Sequence, residues 1–133
     1  MLPSRARVRT RAEHDIVARR GRRSARGPLV VHWLARPEVT EPARAGFVTG
    51  RRVGSAVDRN RVRRRLQHLI AARLTALPAG TLLVVRALPG SAEANNDQLG
   101  NALDAALKAA AASSPRPHSS PDAAASPAEL LLS

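Results

Sequence analysis

The sequence contains no cysteine and no tyrosine, one phenylalanine and one tryptophan, and its only lysine is Lys108. Without cysteine there is no disulfide framework, no thiolate metal site and no thiol nucleophile. The histidines, His14, His32, His68 and His118, do not fall at ligand spacing on any one element, which argues against a metal site. No serine, histidine and acid form a recognisable nucleophilic arrangement. No apolar run approaches the roughly 18 residues that read as a membrane span. The charged N-terminus has no apolar stretch behind it of the kind a signal peptide needs. The expectation is a cytoplasmic protein with no membrane partner.

What the chain has in excess is arginine. Its 133 residues carry a net charge of +12. Residues 1–65 hold 18 arginines against Glu13, Asp15, Glu38, Glu41 and Asp58, a net +13, while the remainder holds four basic and five acidic residues, a net −1. Charge gathered in one half marks a binding face for a polyanion. Arginine outnumbers lysine 21 to 1, which suits forked contacts to phosphate. A preference for arginine codons would give the same ratio, but not the asymmetry.

This length fits one domain. Residues 1–9 read as a loosely held basic arm. Residues 11–20 read as a short helix stopped at Gly21, with Ile16 and Val17 as its apolar anchors. Arg22–Ser24 can pair as a short strand. Leu29–Leu34, after the Gly27-Pro28 turn signal, is rich in β-branched residues and reads as a strand. Residues 35–43 form a loop, Ala45–Thr49 a strand and Gly50–Gly54 a turn. A long helix begins at Ser55, where Ser55 and Asp58 have capping-box spacing, and ends before Pro78. Thr81–Val85 is a short continuous apolar run and so a buried strand. Asn95 or Asn96 caps a last helix with Leu99, Ala102, Leu103, Ala106, Leu107 and Ala110 along one face; Gly100 weakens it by about 1 kcal/mol relative to alanine.

Residues 113–133 are rich in Ser, Pro and Ala and read as a disordered tail. The expected organisation is an α+β domain over residues 1–112 followed by this tail. Two strands joined by the long helix make a β-α-β unit in a single sheet.

The long helix concentrates the charge. Val62, Leu66, Leu69 and Ile70 fall on the side that faces the sheet. Asn60, Arg63, Arg64 and Gln67 follow at i, i+3, i+4 and i+7 on another face, with Arg61, Arg65 and His68 further round toward solvent. Guanidinium groups can grip phosphates in bidentate fashion, and amides can read a base edge or a 2′-hydroxyl. A charge run is often only a solvated face, but here Asp58 is the sole acid at i±3 or i±4 to relieve repulsion. Arg51 and Arg52 precede the helix, in a segment that reads equally as a plain turn or as an anion site at a helix N-terminus. Periodicity does not separate RNA from DNA. Asp15 and Glu13 read as salt-bridge partners within an arginine-rich helix, and Trp33, alternating with Val31 and Leu29, as core.

The run Gly46-Phe47-Val48, then Arg51-Arg52-Val53-Gly54-Ser55-Ala56-Val57, then Arg59-Asn60-Arg61-Val62-Arg63-Arg64 closely resembles the signature of the protein subunit of bacterial ribonuclease P. That signature is a basic turn, Gly-(Asn/Ser)-Ala-Val, then Arg-Asn-Arg and a basic pair. The resemblance covers roughly residues 2–110, including the first helix ending at Gly21, the strand at 29–34, and Leu82–Arg86 with Pro89 after it. It implies an α-β-β-β-α-β-α fold with one sheet and a left-handed β-α-β crossover, the opposite of the ordinary hand.

The resemblance also implies the chemistry. The catalyst would be an RNA subunit with bound Mg2+, removing the 5′ leader of precursor tRNA, with one protein per RNA and no catalytic side chain in the protein. The protein would be an accessory subunit. Arg51, Arg52, Arg59, Asn60, Arg61, Arg63, Arg64, Arg65 and Gln67 would bind the catalytic RNA. His14, Ala18 and His32 would line a cleft for the single-stranded leader, where the family usually has aromatic residues. Stacking is worth ~1–3 kcal/mol per base; histidine keeps part of it and alanine none. Gln67 stands where the family often has arginine, and Gly50 where it often has serine. The alternative is a structural protein that binds ribosomal RNA and has no role in cleavage. A basic-helix DNA binder fits less well, because no dimerisation heptads or second recognition element is present.

Overall fold

The β-branched run Leu29–Leu34 and the apolar run Leu82–Ala87 lie side by side at the centre of a four-stranded sheet. A computed structural model describes residues 6–8 and 10–112. In chain order the elements are α1 (Arg11–Arg20), β1 (Arg22–Arg26), β2 (Leu29–Leu34), β3 (Arg44–Thr49), a 3-10 turn (Arg51–Val53), α2 (Ala56–Leu74), β4 (Leu82–Ala87) and α3 (Asn96–Ala112). The sheet order is β1-β2-β4-β3. β1 and β4 each run antiparallel to β2, whereas β3 and β4 are parallel neighbours joined through α2, as the β-α-β expectation requires.

Both central strands are covered on two faces, which explains why they read as continuous apolar runs. On one face, Leu29, Val31, Trp33, Leu83 and Val85 pack against α2 and α3 through Val62, Leu66, Ile70, Leu99 and Leu103. On the other face, Leu82 and Val84 meet Val17 of α1 and Val8. Trp33 is core, as its alternation with Val31 and Leu29 indicates. α3 is capped by a reciprocal pair: the Gln98 N–H donates to Asn95 Oδ1 at 2.8 Å and the Asn95 N–H to Gln98 Oε1 at 2.9 Å. The buried positions of α3 include Leu99, Leu103, Ala106, Leu107 and Ala110, with Ala102 half-buried.

Two local expectations are corrected. The Val8 N–H donates to the Ala45 carbonyl at 3.0 Å, so Arg7–Val8 continues the sheet beyond β3 and is not a loose arm. Ile16 is 38% exposed; Val17 alone anchors α1 in the core, because a ten-residue helix lying on a sheet buries only a narrow stripe. α1 stops at Gly21 as expected, with that residue in an extended conformation (φ −74°). Glycine fits there because a Cβ would lie 2.5 Å from the Val17 carbonyl oxygen and 2.9 Å from that of Trp33. The tail at 113–133 lies outside the described residues.

Candidate nucleic-acid interface

The basic turn and helix start are held by their few apolar and capping residues. Val53 is buried and ties the 3-10 turn to the core, while Arg51 and Arg52 before it are exposed. Gly54 has φ +152°, and a Cβ there would lie 2.7 Å from Asp58 Oδ2. The space a side chain would need is taken by the helix cap. Asp58 N–H donates to Ser55 Oγ at 3.2 Å, and Ser55 N–H to Asp58 Oδ2 at 3.4 Å, the reciprocal capping box expected from the spacing. The N-terminus of α2 therefore carries its own carboxylate, which weakens it as an anion site and leaves that task to side chains.

Four of the helix arginines are oriented by the protein. Arg59 donates to the Gly54 carbonyl at 3.0 Å, Arg61 pairs with Asp58 at 3.0 Å, and Arg63 donates to Thr49 Oγ1 at 2.9 Å. Arg65 donates to the Ala94 carbonyl at 3.2 Å. Placing Arg65 toward solvent is therefore incorrect: it precedes Leu69 by one turn on the same flank and reaches the segment before α3. Arg51, Arg52, Asn60 and Arg64 are exposed, and their side chains have no hydrogen-bond or ion-pair partner among the described residues. Gln67 is half-buried beside them. The result is a cationic ridge that combines pre-oriented guanidiniums with others that have no partner among the described residues.

The other residues singled out in the sequence lie on the opposite face of the sheet. His14 of α1 packs onto Gly46 so closely that a Cβ on Gly46 would lie 2.6 Å from its Cε1 and 2.8 Å from its Nε2. Ala18, one turn on, is exposed. His32 is only 8% exposed, so it forms part of a floor and does not stand open as a cleft residue would. Arg44, to which the sequence assigned no role, is buried and donates to both carboxylate oxygens of Glu13, at 3.2 and 2.8 Å. Glu13 is thus a salt-bridge partner, as anticipated, while Asp15 is exposed. Arg44 was missed because a single arginine in a strand carries no periodic signal. Among the described residues no helix is long and apolar enough to cross a membrane, and no group of three or more His, Asp or Glu could hold a metal ion.

A mixed four-stranded sheet flanked by three helices, one of them with an arginine-studded first half, defines a small α+β protein with a cationic ridge. The chain belongs to the Ribonuclease P family, whose model matches residues 2–111. It is 50% identical over 115 residues to the ribonuclease P protein component of Streptomyces bikiniensis, covering 81% of this chain and 94% of that one. It is 49% identical over 108 residues to the corresponding protein of Acidothermus cellulolyticus, covering 80% and 89%. Among solved structures, the RNase P protein of Staphylococcus aureus superposes with a TM-score of 0.71 at 23% identity, covering 79% of this chain and 94% of that one. That of Thermotoga maritima gives 0.67 at 21%, covering 77% and 96%. At such identities the structural likeness establishes the α-β-β-β-α-β-α fold.

Proposed function

We propose that this chain is the protein subunit of a bacterial ribonuclease P, binding its catalytic RNA and the 5′ leader of precursor tRNA. The observation that carries this reading is the ridge of α2 and its preceding turn, where Asp58 alone offsets Arg51, Arg52, Arg59, Arg61, Arg63, Arg64 and Arg65 in a chain of this family. In this reading the ridge, with Asn60 and Gln67, holds the backbone of the catalytic RNA, and residues 1–112 are the RNA-binding domain. His14, Ala18 and His32 mark the leader side, on the α1 face. Mg2+ supplies the hydrolytic chemistry and is held mainly by the RNA, since guanidinium groups repel a cation. The protein acts in the cytoplasm, one copy per RNA, by electrostatic grip and substrate positioning.

Reconstitution with the catalytic RNA and a precursor tRNA at low Mg2+ tests this. The protein should raise cleavage by the RNA, and RNA-free protein should cleave nothing. Stimulation that is absent, or cleavage by the protein alone, overturns it. Recovery of ribosomal RNA in place of the catalytic RNA from cells would favour a structural role on the ribosome.

A further inference from the structure

One register row crosses the whole sheet on the α1 face. Gly46 of β3 pairs with Val84 of β4, Val84 with His32 of β2, and His32 with Arg23 of β1. Residues paired in this way point to the same face, and three strand spacings of ~4.8 Å make the row ~14 Å long. His14 sits on its Gly46 end. His32 is near its middle, and its other end is Arg23, exposed on the edge strand. The sequence gives no hint that Arg23 belongs with His14 and His32, which lie on two other elements.

Arg23 does not stand alone. Arg19 and Arg20, in the last turn of α1, are also exposed and lie within four residues of it, ~14 Å of chain at most. None of the three side chains has a hydrogen-bond or ion-pair partner among the described residues, although Asp15 stands one turn before Arg19. Cations in a last helical turn complement the helix dipole, but that does not account for Arg23, which lies beyond the helix. Ala18 is exposed beside them and offers no stacking surface.

We infer that Arg19, Arg20 and Arg23 form a phosphate-binding edge that holds the backbone of the leader strand, replacing with charge the grip that a ring at Ala18 would supply. The inference rests on the ribonuclease P reading and adds to it a second basic surface, across the sheet from α2. Its signature is salt dependence. Three phosphate contacts to a single strand give a slope of about −2 in log K against log salt. The leader-dependent part of binding should therefore fall ~20-fold between 50 and 200 mM salt.

The test measures affinity for precursor tRNA relative to mature tRNA, with the catalytic RNA present and under non-cleaving conditions, for the wild type, Arg23→Ala, Arg23→Lys and the triple variant Arg19→Ala/Arg20→Ala/Arg23→Ala. Circular dichroism checks that each is folded. The triple variant should lose the salt dependence of the precursor-to-mature ratio, Arg23→Ala about a third of it, and Arg23→Lys little. An unchanged ratio and slope in the folded triple variant overturns the inference, as does an equal loss for both tRNAs, which would place this edge against the catalytic RNA. Wild-type protein that fails to bind the catalytic RNA at all overturns the ribonuclease P reading itself, and this inference with it.

Discussion

Arg44 in β3 and Glu13 in α1 form a two-pronged ion pair that is 6% and 25% exposed at its two side chains. Nη1 of the same guanidinium also lies 3.5 Å from the Arg7 carbonyl, so one side chain joins α1, β3 and the N-terminal segment. A pair this enclosed strands a buried charge when one partner is removed, at ~3–5 kcal/mol when burial is complete.

Glu13→Ala should therefore destabilise the domain by about 2–3 kcal/mol, less than the full figure because water reaches Glu13. A drop of about 10 °C in thermal midpoint is expected for a domain of this size. A midpoint within 2–3 °C of wild type would show that the pair contributes little beyond an exposed one.

Gly46 and His14 are coupled by contact. Gly46→Ala places a methyl group against the imidazole and 3.1 Å from Val8 Cβ, an overpacking that costs ~1–3 kcal/mol. Most of that cost should vanish in a His14→Ala background, giving a non-additive double-mutant cycle in urea unfolding. Additive effects would mean that Val8, not His14, resists the methyl.

Arg63→Ala combined with Arg64→Ala should leave stability nearly unchanged, since among the described residues one side chain bonds only Thr49 and the other has no partner. Binding to the catalytic RNA should weaken, and its salt slope should shallow by roughly 0.7–0.9 per lost phosphate contact. Equilibrium binding across a salt series measures both; an unchanged slope in folded protein would remove these residues from the interface.

Asp104 of α3 is held below the ordinary carboxylate range by its hydrogen bond with Arg73 of α2, which outweighs the opposing effect of burial, with the charge of Arg73 adding a lesser lowering. A carboxylate with a lowered pKa stabilises the fold above its unfolded value near ~3.9, and that contribution disappears as pH falls through the folded value. Asp104→Asn should be less stable than wild type at pH 7 by under ~1 kcal/mol, because the carboxylate is more than half exposed. The stabilities of the two proteins should converge as pH falls through the folded-state value of Asp104. A constant difference across pH would assign the effect to packing.

The elements themselves were legible because their signals are local. Ser55 and Asp58 announce the start of α2, the β-branched run gives β2, and the spacing from Leu99 to Ala110 gives α3. The arginine ridge is also local, since it lies on one helix and one turn. The burial of His32 and the inward direction of Arg65 were not legible, because each depends on what another element lays over or beside it.

The sequence by itself determined the order of helices and strands, the half of the molecule that carries the positive charge, and the family. Each is written in near-neighbour chemistry: hydrophobic period, capping residues, and a contiguous motif. Only the tertiary structure decided which residues share a face across the sheet. The register that brings Gly46, Val84, His32 and Arg23 into one row, and the packing that closes Glu13 onto Arg44, depend on strand pairing between distant segments. Sliding a strand by one residue would turn all its side chains to the other face, and that choice is made by burying both faces of the sheet at once.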